Sequence, residues 1–192
     1  MSVAAIVLAA GGSRRLGQPK QLLAYRGETL LNRAIRIASE SGASPVLAVL
    51  GAEFESIRRS IQSPTAIPVH NDRWRQGMGS SIAAGMRALA VCAPDAEGVL
   101  LLSCDQPRIT VEHLHALIAA FEAAPAIAAS AYAGVNGVPA VFPRETFDLL
   151  RDLHGDKGAR SIIEAAVCPV VAVIFPGGDV DIDAPEDLAK LD

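Results

Sequence analysis

The sequence predicts an α/β fold built on a mostly parallel β-sheet. Short apolar runs without polar alternation recur along the chain, as in strands that are buried on both faces. Segments with apolar residues at helical spacing separate these runs, and this alternation is typical of parallel strands joined by helices. With 192 residues and no linker or repeat, the chain is expected to form one domain over 1–192 with a sizeable core.

The first half of the chain alternates predicted strands and helices. In chain order these are a strand at 3–7, a helix at 30–41, a strand at 46–50, a helix at 54–61, a strand at 67–69 and a helix at about 82–91. Gly42 is placed to end the first helix. Pro68 puts the third strand near a sheet edge, because proline has no N–H to donate to a neighbouring strand.

The second half begins with the most apolar run, 98–102, which we expect at the centre of the sheet. Thr110 is placed to cap the helix that follows it. The remaining predicted elements are strands at 126–132 and 138–142 joined by a turn at 134–137, a helix starting at Pro143, a helix at about 159–166, a strand at 170–175 and a terminal helix opening at Pro185.

Composition excludes several classes of protein. The formal net charge is −4 and aromatic residues make up 4 %, so neither a basic nucleic-acid surface nor a base-stacking platform is expected. Cys92, Cys104 and Cys168 lie far apart without a C-x-x-C pair, which favours reduced thiols in the cytoplasm over disulfides or zinc. We expect no signal peptide and no membrane span, because no apolar run is long enough.

The segment Leu8–Lys20, which we call the Gly loop, follows the first strand. Gly11 and Gly12 allow the backbone to turn sharply and to bring N–H groups close to a ligand. Two arginines and a lysine follow within a few residues, and such donors and cations at the end of a strand suit a polyphosphate. The alternative is an ordinary turn with solvated cations. The segment is neither a Walker A motif nor the dinucleotide G-x-G-x-x-G sequence.

Asp105 follows the central predicted strand, at the edge of the sheet where ligands bind in open α/β folds. It should therefore lie on the same edge as the Gly loop. A carboxylate there is suited to Mg²⁺, a hard cation that often keeps substrate phosphates as partners. The alternative is that Asp105 caps a turn before Pro107.

Two other kinds of side chain are expected to have no role in chemistry. His113 and His115 are two residues apart on a predicted helix, so they point in different directions and do not form a metal pair. We expect both at the surface. Trp74 is interpreted as a packing anchor rather than as a base-stacking group.

The Gly loop resembles the signature of nucleotidyltransferases with a GT-A-like fold, with Leu16 where that family usually has Met. The resemblance implies a three-layer α/β/α sandwich with a Rossmann-like, mostly parallel sheet. It also implies catalytic roles for Lys20 and Arg15 on the phosphates, whereas Arg14 is expected to be solvated. The implied nucleotide-binding residues of the loop are Leu8, Ala9, Ala10, Gly11, Gly12 and Lys20.

Two acidic motifs extend the resemblance. Cys-Asp-Gln-Pro at 104–107 is similar to the family motif whose Asp holds the metal, and Asp-Ile-Asp-Ala-Pro-Glu-Asp at 181–187 is similar to its closing motif. They imply that Asp105 and Asp183 share one Mg²⁺ and that Asp105 is catalytic. Without a cation the two carboxylates should repel each other. The other carboxylates are expected in solvent, in structural positions or at the helix start: Asp181, Glu186 and Asp187.

The remaining similar segments concern the base and the acceptor. Gly79, Ser80 and Ser81 match the family segment that lines the nucleotide base and ribose, although the hydroxyls can equally cap a helix. The sequences at 136–142 and 155–160 resemble the acceptor side of the molybdenum cofactor cytidylyltransferase branch, with Val138 in place of an Asn. A solvated loop is the alternative for the second of them. The implied acceptor-binding residues are Asn136, Pro139, Asp156, Lys157 and Arg160.

The resemblance implies a Mg²⁺-dependent enzyme that transfers CMP from CTP to molybdopterin or its molybdenum form and releases pyrophosphate. A xanthine-dehydrogenase-type molybdoenzyme is the suggested recipient of the product. Guanylyl or sugar-phosphate transfer is an alternative reaction. A non-catalytic carrier of the molybdenum cofactor is an alternative of another class, but it would not need Lys20, Asp105 and Asp183 together.

Overall fold

The computed structural model describes residues 1–124 and 126–191. Its strands are β1 (Val3–Ala9), β2 (Ala24–Tyr25), β3 (Glu28–Thr29), β4 (Val46–Leu50), β5 (Ile67–His70), β6 (Gly98–Ser103), β7 (Ile127–Tyr132), β8 (Val135–Pro143) and β9 (Val170–Ile174). Its α-helices are α1 (Leu30–Glu40), α2 (Phe54–Arg59), α3 (Met78–Cys92), α4 (Val111–Ala123), α5 (Phe147–Arg151) and α6 (Arg160–Ala165).

The main sheet has the strand order β5-β4-β1-β6-β8-β7-β9, and β2 and β3 form a separate small hairpin. Strands β5, β4, β1 and β6 run parallel to one another. Strand β8 is antiparallel to β6 and β7, and β9 is parallel to β7. The prediction of a mostly parallel sheet is confirmed, with β6 in the middle and the Pro68 strand at one edge.

Helices cover both faces of the sheet. Successive residues of β1 point to opposite sides, so each face has apolar side chains that a helix buries. Ala5 and Val7 belong to a core shared with α1 and α4, whereas Ile6 and Leu8 belong to a core shared with α3 and α6. Every residue of β1 is buried. The expected three-layer α/β/α sandwich is therefore confirmed.

The turn between β7 and β8 is shorter than predicted. The chain reverses at Ala133 and Gly134 rather than over 134–137. These two residues have φ angles of 47° and 77°, the left-handed pair that joins twisted antiparallel strands through a two-residue loop. The residues that follow, Asn136 included, therefore belong to β8.

One predicted helix start differs from the structure, and two other predicted helices begin as 3₁₀ helices. Helix α3 begins at Met78 rather than near residue 82, after Gly77, whose φ of 104° favours glycine. Pro143 ends β8 and is the N-cap of a 3₁₀ helix at Arg144–Thr146, so the helix start predicted there is confirmed, and α5 follows from Phe147. The segment Pro185–Leu191 is a 3₁₀ helix. Within the described residues, no helix has both the length and the apolar character needed to cross a bilayer.

The surface prediction is correct for His115 and wrong for His113, which is only 9 % exposed. The His113 ring stacks on Phe175 with 4.2 Å between ring centroids. Its Nε2 lies 2.7 Å from the Oγ of Ser130, which itself donates to the carbonyl of Pro139. Because the Ser130 proton is used there, His113 Nε2 is the donor in the first bond. Helix α4 packs this side on the sheet, so only one of the two histidines faces solvent.

Burial lowers the pKa of His113 from 6.5 to about 4. The unfolded chain therefore takes up a proton between these pH values that the folded protein resists, so folding stability decreases as the pH falls through this window. We expect the free energy of unfolding to drop by about 3 kcal/mol between pH 7 and pH 4 from this residue, measured by urea unfolding. The variant His113→Gln should lose most of this pH dependence, and His115→Gln should keep it. Equal slopes in the two variants would contradict the assignment.

Candidate active site

The carboxyl ends of β1 and β6 open into a cavity of about 470 Å³. Its walls come from the Gly loop, the start of α3 and the residues after β6. This is the edge at which open α/β sheets bind ligands. The predicted site residues that line it are Leu8, Ala9, Ala10, Gly11, Lys20, Ser81, Asp105 and Asp156.

Gln21 holds the Gly loop in place, a role that no motif in the sequence indicates. Its side chain is fully buried, and Nε2 donates to the carbonyl of Ala9 at 2.7 Å and to that of Gly11 at 2.8 Å. These bonds fix the loop backbone and give two of its carbonyl oxygens a donor, which reduces their repulsion of an anion. A single polar residue in a short 3₁₀ turn has no periodic pattern that could have predicted this role.

Trp74 packs closely against two glycines. A Cβ at Gly12 would lie 2.9 Å from a ring carbon of Trp74, and a Cβ at Gly51 would lie 2.6 Å from the Trp74 Cβ. The ring also lines the cavity, with the Arg75 guanidinium 4.5 Å from its centroid. The contacts support the interpretation of Trp74 as a packing anchor. They give Gly12 a packing role beside the cavity, whose lining does not include it.

Lys20 joins the two acidic motifs. Its Nζ donates to Oδ2 of Asp105 in a short contact and to Oδ1 of Asp183 at 2.8 Å. The side chains of Lys20 and Asp105 are each 15 % exposed, and that of Asp183 is 43 % exposed. Burial acts to lower the pKa of Lys20, but the charge of Asp105 and the two hydrogen bonds outweigh it and raise the pKa, so the ammonium stays charged.

The two carboxylates thus meet in space, but the expected repulsion between them in the absence of a metal is wrong. The ammonium of Lys20 lies between them and makes the arrangement attractive. The remaining oxygens also have partners: Oδ1 of Asp105 accepts from Ser103 Oγ, and Oδ2 of Asp183 lies 3.3 Å from the guanidinium of Arg15. Arg15 therefore contacts a carboxylate, whereas Arg14, expected in solvent, is exposed but lines the cavity.

Backbone contacts fix the closing acidic motif beside Asp105. The N–H of Ile182 donates to the carbonyl of Asp105 at 3.0 Å, and the Ile182 side chain is fully buried. Asp187 Oδ2 accepts from the N–H groups of Asp183 and Ala184, at 2.9 and 2.8 Å. Asp187 therefore holds the turn that carries Asp183, a more specific role than the expected one at a helix start.

Asp181 contributes further negative charge next to the pair, although part of its surface is exposed. Partial burial raises its pKa to about 6, and the charges of Asp105 and Asp183 act in the same direction. Three carboxylates therefore lie close together after β6 and in the closing acidic motif, and Lys20 and Arg15 contact two of them.

The donor set fits a divalent cation that is also held by substrate. Among residues 1–124 and 126–191, no group of three or more His, Cys, Asp or Glu side chains is placed to hold a metal ion. Mg²⁺, however, usually takes one or two carboxylates and completes its shell with waters and substrate phosphates. Asp105 and Asp183 converge on one ammonium nitrogen, so a single small cation can reach both of them.

The two serines of the predicted base segment differ in their contacts. Asn71 Nδ2 donates to both hydroxyls at 3.0 Å. Ser80 Oγ also lies within hydrogen-bond distance of the carbonyls of Arg73 and Gly77, whereas Ser81 lines the cavity. Ser80 is thus occupied by its own chain, and Ser81 is the serine placed to meet a ligand.

Gly79 has a packing role. Its N–H donates to the carbonyl of Gly155 at 2.9 Å, and a Cβ would lie 2.6 Å from the backbone nitrogen of His154. The start of α3 therefore lies directly against the 153–158 loop.

The predicted acceptor residues do not form one cluster. Asp156 lines the cavity, Lys157 is exposed, and Arg160 pairs with Glu164 at 2.7 Å. Asn136 lies instead in a separate hollow beside the β7–β8 turn. Pro139 is buried, and its carbonyl accepts from Ser130. The extended hairpin separates Asn136 and Pro139 from the cavity lining, which the linear motif could not show.

Comparison with known proteins agrees with this geometry. The family model described as "MobA-like NTP transferase domain" matches residues 5–170. The chain belongs to the MobA-like NTP transferase family. The family match identifies this protein as a nucleotidyltransferase, and the solved structures show that it has a GT-A-like fold.

Three curated relatives illustrate the range of the family. "Purine catabolism protein PucB" from Bacillus subtilis is 33 % identical and covers 95 % of this chain and 92 % of its own length. "Nicotine blue oxidoreductase" from Paenarthrobacter nicotinovorans is 33 % identical, covering 91 % of this chain and 77 % of its own. A "Probable molybdenum cofactor guanylyltransferase" from Opitutus terrae is 35 % identical over 56 % of this chain and 50 % of its own.

Solved structures match along the whole chain. Rv0371c from Mycobacterium tuberculosis superimposes with a TM-score of 0.84 at 31 % identity, covering 100 % of this chain and 97 % of its own. A manganese complex of that protein matches with a TM-score of 0.80 at 29 % identity, over 100 % of this chain and 97 % of its own. A structure of this similar protein thus contains manganese.

Proposed function

We propose that the protein transfers the CMP group of CTP to the terminal phosphate of a molybdopterin-type acceptor, with Mg²⁺ as the metal. The observation that carries the proposal is the convergence of Lys20, Asp105 and Asp183 beside a cavity walled by the Gly loop. Binding of a polyphosphate needs backbone donors, cations and a metal at one place. This edge of the sheet has the backbone of the Gly loop, the Lys20 ammonium and two carboxylates for the metal.

In the proposed reaction an oxygen of the acceptor phosphate attacks the α-phosphorus of CTP. The bond to the β-phosphate breaks, and pyrophosphate leaves. Such chemistry depends on alignment and charge neutralisation rather than on a covalent nucleophile. The Gly loop orients the triphosphate, and Lys20 with Arg15 neutralises charge on the leaving pyrophosphate. Asp105 and Asp183 would hold the Mg²⁺, which supplies further neutralisation of phosphate charge.

Acceptor binding is assigned to the side of the cavity where the 153–158 loop meets α3. Asp156 already faces the cavity there, and Lys157 and Arg160 follow it on the loop and at the start of α6. An anionic acceptor would draw Arg160 away from Glu164, because the surface pair contributes little stability. Asn136 and Pro139 keep at most an indirect role, through the hairpin.

The recipient of the product is proposed to be a xanthine-dehydrogenase-type molybdoenzyme in the cytoplasm. The name of the PucB relative places that protein in purine catabolism, to which xanthine oxidation belongs. The name of the nicotine blue relative suggests redox chemistry for that protein instead. The Gly loop lacks the dinucleotide G-x-G-x-x-G sequence, which favours transfer chemistry here.

We expect CTP to be preferred over GTP and ATP by at least about 100-fold in kcat/KM, because a site that bonds one base edge leaves polar groups unpaired with another. Ser81 accepts a hydrogen bond from Asn71, so its own hydroxyl proton is available to a base acceptor. The measurement is pyrophosphate release with Mg²⁺, molybdopterin and each nucleotide in turn. The variant Ser81→Ala should reduce the ratio of kcat/KM for CTP to kcat/KM for GTP or ATP.

Faster pyrophosphate release with GTP than with CTP would indicate that this protein is a guanylyltransferase, the activity in the name of the Opitutus terrae relative. Pyrophosphate release with a sugar phosphate in place of molybdopterin would show that the acceptor is a sugar phosphate. Binding of molybdopterin without any pyrophosphate release would indicate a carrier.

A further inference from the structure

The carboxylates of Asp105 and Asp183 have all their oxygens engaged by groups of the same chain. Lys20 Nζ takes Oδ2 of Asp105 and Oδ1 of Asp183, Ser103 takes Oδ1 of Asp105, and Arg15 contacts Oδ2 of Asp183. Two cationic side chains thus neutralise two anionic ones. A metal ion held by both carboxylates would take the point between them that Lys20 Nζ now occupies.

Lys20 makes the contacts that a metal would have to replace. Its nitrogen occupies the point on which both carboxylates converge, at 2.8 Å from Asp183 and in a short contact with Asp105. An ammonium and a divalent cation in that position would repel each other strongly in a partly buried site. The two cations therefore exclude each other.

The Lys20 ammonium can also reach a second position, inside the cavity. Its backbone is fixed, since its N–H donates to Ser13 Oγ at 3.0 Å, but four methylene groups let the ammonium move. The side chain already lines the cavity beside the Gly loop. A triphosphate in that cavity offers the ammonium new anionic partners.

We propose that Lys20 is an internal counter-ion that a divalent cation must displace, so that metal binding releases the Lys20 ammonium toward the nucleotide triphosphate. The proposal rests on the proposed function only for the identity of the anion in the cavity. Metal binding and nucleotide binding then favour each other. The metal displaces the Lys20 ammonium from the carboxylates, and the triphosphate stabilises the displaced ammonium. In the metal-free protein Lys20 neutralises the acidic pair until a divalent cation binds.

The first test measures Mn²⁺ affinity without nucleotide, by electron paramagnetic resonance, in the wild type and in two variants. Lys20→Met should bind Mn²⁺ at least about fivefold more tightly, because the competing cation is gone. Arg14→Gln removes an equal charge from the cavity lining without touching either carboxylate, so its affinity should change by about twofold or less. Equal gains in both variants, or no gain in Lys20→Met, would overturn the proposal.

A second test uses the wild type alone and so does not depend on how a variant folds. The lysines of the chain are Lys20, Lys157 and Lys190, so carbon-13 lysine labelling gives few side-chain signals. Addition of Mg²⁺ without nucleotide should move the Lys20 Cε signal toward that of the exposed Lys157 and leave Lys157 unchanged. Calorimetric Mg²⁺ binding with a fixed Lys20 signal would refute displacement. Neither measurement involves turnover, so a failure of the CTP reaction is distinguished from a failure of this proposal.

Discussion

Lys20→Ala is expected to lower turnover by roughly 100- to 1,000-fold, the scale for removing one group that stabilises transition-state charge. Lys20 lines the cavity, and its charge is secured by two carboxylates. The measurement is pyrophosphate release at saturating CTP and Mg²⁺. If metal binding also tightens in the variant, the loss of turnover cannot be attributed to loss of the metal.

Arg59→Ala is the control for a general loss of positive charge. Arg59 is 76 % exposed and has only a 4.0 Å contact with Glu55, so this variant should keep wild-type turnover. Near-normal pyrophosphate release by Lys20→Ala would remove Lys20 from the mechanism.

Asp105→Asn and Asp183→Asn are each expected to abolish nearly all activity and to weaken divalent-metal binding. Each change removes one of two hard, anionic oxygen donors, while an amide of the same shape preserves the packing. The assays are pyrophosphate release and Mn²⁺ binding on the same preparations. Full activity after chelation of divalent ions would exclude the metal-pair model.

Asp148→Asn provides the matched control for these two variants. Asp148 is 79 % exposed and pairs with Arg151 on the surface of α5, so its replacement should alter neither assay. The acidic pair is neutralised by Lys20 in the metal-free protein, so neither site variant is expected to raise the melting temperature by relieving repulsion. A clear increase in both would show that the lysine does not neutralise the pair in solution.

Local pattern accounts for the parts of the fold that the sequence predicted correctly. The apolar runs of β1, β4 and β6 have no polar alternation, because helices cover both of their faces, and this is visible residue by residue. The Gly loop and the two acidic motifs are contiguous strings, so the sequence alone was enough to predict roles for them. The turn at Ala133 and Gly134 was misplaced because Gly134 and Gly137 are both suited to a turn.

Partners distant in sequence account for what the sequence did not reveal. His113 and His115 have the same local surroundings, and only the packing of α4 on Phe175 and Ser130 decides which is buried. Gln21 acts through carbonyls of the preceding loop, which no periodicity marks. The acceptor motif appeared as one set, but the hairpin places Asn136 in a different hollow from Asp156.

The sequence by itself determined the α/β class, and it was enough to predict a polyphosphate-binding loop after β1 and, through the family resemblance, two carboxylates for a metal, because each rests on short contiguous segments. Only the tertiary structure decided that Lys20 lies between Asp105 and Asp183. Those residues are 85 and 163 positions from Lys20 along the chain. Their meeting depends on the order of β1 and β6 in the sheet and on the bond from Ile182 to the Asp105 carbonyl, which long-range packing sets.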